Sequence, residues 1–153
     1  MKPVKYFLII LLAAATFAAC EKKDYPPGVE DLQHHYYCIF VPNNNTGVTV
    51  SRSQTALLKF PVQFYSIYNR DYDAVARYAV VTGGISTPAQ LGVDFNVVDK
   101  DGNVIPTADS TFSIVFPHAI QKMDTIYLKM LNNTAPGTRK FEIQIQDNIT
   151  SQF

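Results

Sequence analysis

Apolar residues recur at every second position along most of this chain from residue 36 onward. The clearest run is Lys140 to Gln146, where Phe141, Ile143 and Ile145 alternate with Lys140, Glu142, Gln144 and Gln146. That period puts successive side chains on opposite faces of a strand and predicts one face in a core and one in water. The same alternation runs through Leu58, Phe60, Val62 and Phe64, through Phe112, Ile114 and Phe116, and through Ile126, Leu128 and Met130. Tyr36 to Val41 and Val75 to Thr82 are weaker strand patterns. No long stretch keeps the 3.6-residue period of an amphipathic helix.

Turn-forming clusters separate these runs: Pro42-Asn43-Asn44-Asn45-Thr46-Gly47, Gly83-Gly84, Asp99-Lys100-Asp101-Gly102-Asn103 and Ala135-Pro136-Gly137. About seven short strands divided in this way predict an all-β fold, a single antiparallel β-sandwich. Its core is expected to hold Phe60, Phe64, Phe112, Ile114, Ile126, Leu128, Phe141, Ile143 and Ile145. Pro61 lies inside a strand pattern, and because it has no N–H to donate, that strand is expected at a sheet edge or at a bulge.

The first residues follow another rule. Lys2 and Lys5 precede an apolar run from Tyr6 to Phe17, and small Ala18 and Ala19 precede Cys20, the anatomy of a secretory signal. An apolar run of about a dozen residues is well short of the ~20 needed to cross a bilayer as a helix. Phe17-Ala18-Ala19-Cys20 resembles the lipobox of bacterial lipoproteins, with Phe17 where leucine is usual. The resemblance implies that Cys20 is acylated and becomes the new N-terminus, so that the membrane is a partner through a lipid anchor. Residues 21–33 mix charge with Pro26-Pro27-Gly28, the composition of an extended, flexible spacer. The expected organisation is a signal peptide over 1–19, a lipidated cysteine and linker over 20–33, and a β-sandwich domain over 34–153.

Composition removes several function classes. The whole chain carries 13 basic and 13 acidic residues; without residues 1–19, which hold two lysines and no acid, the formal charge becomes −2. No basic patch remains for nucleic acid. With Cys20 lipidated, Cys38 has no intramolecular disulfide partner and reads as a buried small hydrophobe. The soft ligands His34, His35, Cys38 and His118 complete no zinc spacing. Asp99, Asp101 and Asn103 miss the calcium-loop pattern because Gly102 falls too early, and they read as a solvated turn. Neither H-E-x-x-H nor G-x-S-x-G nor a nucleotide loop occurs, so no catalytic residue and no cofactor is assigned.

Several segments together resemble the Calx-β type of immunoglobulin-like sandwich: Tyr78 to Thr82, then Ala89-Gln90-Leu91-Gly92-Val93-Asp94-Phe95, then Phe112 to Phe116, Asp124 to Met130 and Gly137 to Asp147. Ala89, Gly92, Asp94 and Phe95 match an Ala-x-x-Gly-x-Asp-aromatic corner, and Phe116-Pro117 matches a following Phe-x-Pro-like segment. The resemblance spans roughly residues 75–147 and implies an immunoglobulin-like topology. It also raises calcium, which needs six to eight oxygen ligands with several carboxylates close together. Where the resemblance places an acidic pair, this chain has Asn132-Asn133, so no metal is assigned. The corner residues also have structural roles: Gly92 for backbone freedom, Asp94 for accepting turn N–H groups, Phe95 for the core.

The overall layout is similar to that of small lipoproteins found beside glycan-uptake receptors in Bacteroidetes. It implies an outer-membrane location, with the cell exterior as one possible face, and an accessory role in capturing or handling glycans alongside uptake-complex proteins. The candidate binding residues are Tyr65, Tyr68, Arg70 and Tyr72, around a polar segment between two strands. Exposed tyrosines stack on sugar faces while their hydroxyls hydrogen-bond, and loops at the ends of a sandwich carry binding residues. Tyrosines at strand ends also serve simply to cover the rim of a core, and tryptophan, a common sugar platform, is absent. The alternative function is a structural spacer or a cell-surface assembly or adhesion subunit without a small ligand.

Overall fold

The structure is a computed structural model that describes residues 36–43, 47–66 and 73–150, all within one unit, His35–Phe153. The expected signal peptide and linker, Cys20, and Tyr68, Arg70 and Tyr72 lie outside the described residues.

Among the described residues there are seven strands: β1 (Tyr36–Phe40), β2 (Leu58–Ser66), β3 (Ala74–Val81), β4 (Phe95–Val98), β5 (Thr111–Phe116), β6 (Met123–Met130) and β7 (Glu142–Thr150). A four-stranded sheet runs in the order β1-β2-β6-β4 and a three-stranded sheet in the order β5-β3-β7. Every strand pair is antiparallel. The expected β-sandwich is therefore the observed fold. Among the described residues the sole helical element is a 3-10 turn, Pro117–Ala119.

The alternation sets which face each strand buries. In β5 the inward Phe112, Ile114 and Phe116 are buried while Ser113 and Val115 face water. β2 does the same with Val62 and Phe64, and β6 with Ile126 and Leu128. β3, the middle strand of its sheet, buries Ala74, Ala76 and Tyr78 from its inner face and Ala79 from the other. The two sheets meet where the Phe64 ring of one stacks on the Phe116 ring of the other, centroids 5.3 Å apart. Burying one side chain of this size contributes about 1.5–3 kcal/mol, so this pair supplies one part of the adhesion between sheets, beside the other buried side chains of the core. Of the expected core, Phe64, Phe112, Ile114, Ile126 and Leu128 are buried, while Phe60, Phe141, Ile143 and Ile145 are partly buried and pack against it.

Two elements differ from expectation. β4 lacks a long alternating run; its Phe95, Val97 and Val98 are all buried, so a period-two search passes over it. Pro61 lies in an interior strand, since β2 has neighbours on both sides. The Pro61 carbonyl accepts the Val41 N–H at 3.0 Å. In an antiparallel pair a residue's N–H and C=O point to the same neighbour, so the missing donor faces β1 just where that strand has ended. The cost is one hydrogen bond at the end of a ladder, and β2 stays central.

Candidate functional site

The two ends of the sandwich are built differently. One end, called the corner end below, carries residues 89–95, the stretch after β6 and the stretch before β7. Gly92 there adopts φ +81°, which lets its N–H reach back to the Phe95 carbonyl at 2.8 Å. Phe95 then enters the core with no exposed surface and stacks on Phe141, centroids 3.9 Å apart.

Asp94, 3% exposed, is the sole buried charged residue among those described. Its carboxylate accepts the Gln90 N–H at 2.8 Å, the Asn133 side-chain amide at 2.7 Å and the Arg139 guanidinium at 3.2 Å. Burial raises the pKa of this carboxyl; the donors from Asn133 and Gln90 and the Arg139 charge outweigh that and leave it below the usual range. Asn133 in turn donates to the Val93 carbonyl and accepts from Arg52 and from the Ala135 N–H. Arg52 also donates to the Gly137 carbonyl. The corner end is thus tied to residue 52 and to residues 131–139 by one connected set of polar contacts. Its carboxylate is already matched by a cationic group, so it carries no uncompensated charge to offer a further cation. Among the described residues no group of three or more His, Cys, Asp or Glu is placed to hold a metal ion.

The other end, the turn end, holds the last residues of β2, the first of β3, the end of β5 and the start of β6. Tyr65 lies opposite Tyr37 in the β1–β2 register, and the two rings stack with centroids 4.9 Å apart at 23°. Both rings keep a wet side, at 38% exposed for Tyr37 and 43% for Tyr65. Ile120 and Met123, at 64% and 45%, are exposed at the same end. Between them and β5 the 3-10 turn places His118 at φ +52° and Ala119 at φ +46°. Such a conformation costs a residue with a Cβ about 1–3 kcal/mol, and its surroundings hold it there. The Asp73 carboxylate accepts the His118 N–H at 2.8 Å, and Lys122 donates to the Ala119 carbonyl at 2.9 Å. The Ala119 methyl is fully buried. Lys122 also sits over the Phe64 ring, 5.3 Å from its centroid.

Of the sequence-derived candidates, Tyr65 alone is among the described residues, and its partner is a residue that sequence reasoning passed over. Tyr37 was hidden because its role depends on the register that sets it opposite Tyr65. Ile120 and Met123 were missed, and His118 was weighed only as a metal ligand, because strained backbone and exposure of apolar side chains leave no local pattern. A separate depression of about 250 Å³, lined by Leu91, Gly92, Val104, Ile105 and Pro106 among others, lies beside β4. It is remote in sequence and in strand order from the tyrosine pair.

Cys38 is buried, and burial pushes its thiol up to about 12. A thiol so far from ionising is a poor nucleophile and metal ligand. Burial, with the charge of Asp124, likewise raises the Tyr78 hydroxyl.

Comparison of the chain with protein-family models, curated proteins and solved structures finds no match.

Proposed function

We propose that the protein is a non-catalytic surface lipoprotein whose sandwich is an accessory binding module for glycans. The observation that carries this reading is the gathering of Tyr37, Tyr65, Ile120 and Met123, all exposed, at the end of the sandwich that also holds two consecutive non-glycine residues in left-handed backbone. Stacked tyrosines present flat apolar faces with hydroxyl rims, which is the chemistry that recognises sugar rings. Non-glycine residues in left-handed backbone concentrate at binding sites. Residues 67–72, with Tyr68, Arg70 and Tyr72, join the β2 and β3 strand ends of this same end in sequence.

The immunoglobulin-like, Calx-β type of sandwich belongs to this proposal. It is supported by the use of Gly92, Asp94 and Phe95 as a corner. Anchoring through Cys20 in the outer membrane rests on the sequence ending Ala18-Ala19-Cys20; mass spectrometry of the N-terminal peptide tests it, and an unmodified Cys20 sinks it. A site this shallow binds at about the millimolar level, some 4 kcal/mol, and many copies on one membrane offset the weakness by avidity.

Affinity electrophoresis of the chain against a panel of soluble polysaccharides tests the binding reading. Retardation by at least one polysaccharide, lost in Tyr37→Ala and Tyr65→Ala, is the expected result. If nothing retards the chain, or both variants behave as the parent does, the glycan reading falls and a spacer or assembly subunit replaces it.

A further inference from the structure

Among the described residues β5 is an edge strand, and part of its backbone is open. The Ser110 carbonyl accepts the Val80 N–H at 3.0 Å, so Ser110 points toward β3. By the alternation of an antiparallel ladder, Phe112, Ile114 and Phe116 also bond β3, and Thr111, Ser113 and Val115 point their N–H and C=O groups outward. Thr111 is closed off by its own loop: its N–H donates to Asp109 at 3.1 Å and its carbonyl accepts from Thr107 at 3.0 Å. Ser113 and Val115 have no such cover among the described residues, and both side chains face solvent.

The other borders are guarded. On β4 the outward carbonyls of Phe95 and Val97 are taken by the N–H groups of Gly92 and Ile105, at 2.8 and 3.0 Å. β7 carries Glu142 and Asp147 and runs alongside β1. Edge strands are commonly protected by charge, proline or a covering segment, and among the described residues Phe112-Ser113-Ile114-Val115-Phe116 has none of these.

We propose that β5 pairs with β5 of a second copy of this chain, antiparallel about a twofold axis at Ile114, joining the two three-stranded sheets into one. In that register Ser113 of one copy faces Val115 of the other, and each pair exchanges N–H and C=O bonds in both directions. Ile114 meets its own counterpart between them. Charge favours this direction and this partner. The strand is neutral, so identical copies meet without repulsion. Asp109 precedes it, so parallel pairing would set the two carboxylates side by side, while antiparallel pairing sends them to opposite ends of the joined strands. A twofold pairing uses up the open edge of both copies and closes the assembly. The proposal does not depend on the glycan reading.

Sedimentation of the intact chain over a wide concentration range, with amide hydrogen exchange on the same samples, tests it. A monomer–dimer equilibrium is expected, in which the Ser113 and Val115 amides gain protection as concentration rises while the Thr111 amide does not. Ser113→Lys and Val115→Lys alter exposed side chains and are expected to raise the dimer dissociation constant at least tenfold. A chain that stays monomeric into the millimolar range overturns the proposal. So does a dimer that both lysine variants leave unchanged, or one whose Ser113 and Val115 amides exchange as fast as in the monomer.

Discussion

Both ends of this sandwich use left-handed backbone, but they assign it to different residues. At the corner end most such positions belong to glycines, Gly92 at φ +81° among them, with Ser110 at φ +61° the exception where β5 begins. At the turn end they belong to His118 and Ala119, φ +52° and +46°, both of which have a Cβ. The corner end also saturates its buried carboxylate with donors, whereas the turn end leaves Tyr37, Tyr65, Ile120 and Met123 exposed. The corner end keeps one conflict between local preference and fold, at Ser110, while the turn end concentrates two in consecutive residues beside exposed apolar side chains. Conflicts of this kind concentrate where a protein binds something.

If the corner end is the one built for stability, the largest loss should come from its anchor. Phe95→Ala removes a ring with no exposed surface that stacks on Phe141, and chemical denaturation is expected to show a loss of about 3–5 kcal/mol. Tyr37→Ala at the other end removes a ring already part-exposed and is expected to cost well under half as much. Equal losses at the two sites would erase the distinction.

Asp94 comes next. Asp94→Asn keeps the shape but removes the charge that Arg139 and Asn133 address, and hydrogen bonds to a charged group contribute about 1.5–3 kcal/mol. The sign with pH follows from the lowered pKa of this carboxyl. The unfolded chain binds its proton more readily than the fold does, so the stabilisation is present above the unfolded value of about 3.9 and fades as pH falls through the lower folded value. Parent and variant are therefore expected to differ at pH 7 and to converge in strong acid. A difference that persists unchanged at low pH means that the charge is not what Asp94 contributes.

How much of this was legible beforehand follows the range of the interactions. Strands with an exposed face, such as β5 and β6, write their burial into a two-residue period, and the sandwich follows from counting them. β4 is buried on both faces, so its sequence has no alternation to read. The corner was legible because a glycine, an aspartate and a phenylalanine at fixed spacing do their work locally. That Asp94 is completed by Asn133 and Arg139, some forty residues away in sequence, was not legible, because only the fold brings them together. The same holds for Tyr37 beside Tyr65. Pro61 was misread because a local rule about donors takes no account of where the neighbouring strand stops.

The smallest expected effects test the opening comparison most directly, because the two exchanges run in opposite directions. Gly92→Ala introduces a Cβ with nothing within 4 Å of it, so space is not limiting and the penalty is purely conformational, about 1–2 kcal/mol. His118→Gly does the reverse. Its side chain is exposed, so little packing is lost, and the relief of left-handed strain is offset by the roughly 0.5–1 kcal/mol of extra freedom that glycine brings to the unfolded chain. A gain of up to about 1 kcal/mol is the expected net result. Thermal and chemical denaturation of both variants, measured side by side, decide the matter. Should His118→Gly destabilise the fold as much as Gly92→Ala does, the turn end is not strained and the binding site there rests on its exposed side chains alone. If the variant is more stable yet weaker in polysaccharide retardation, the strain is held in place for the site rather than for the fold.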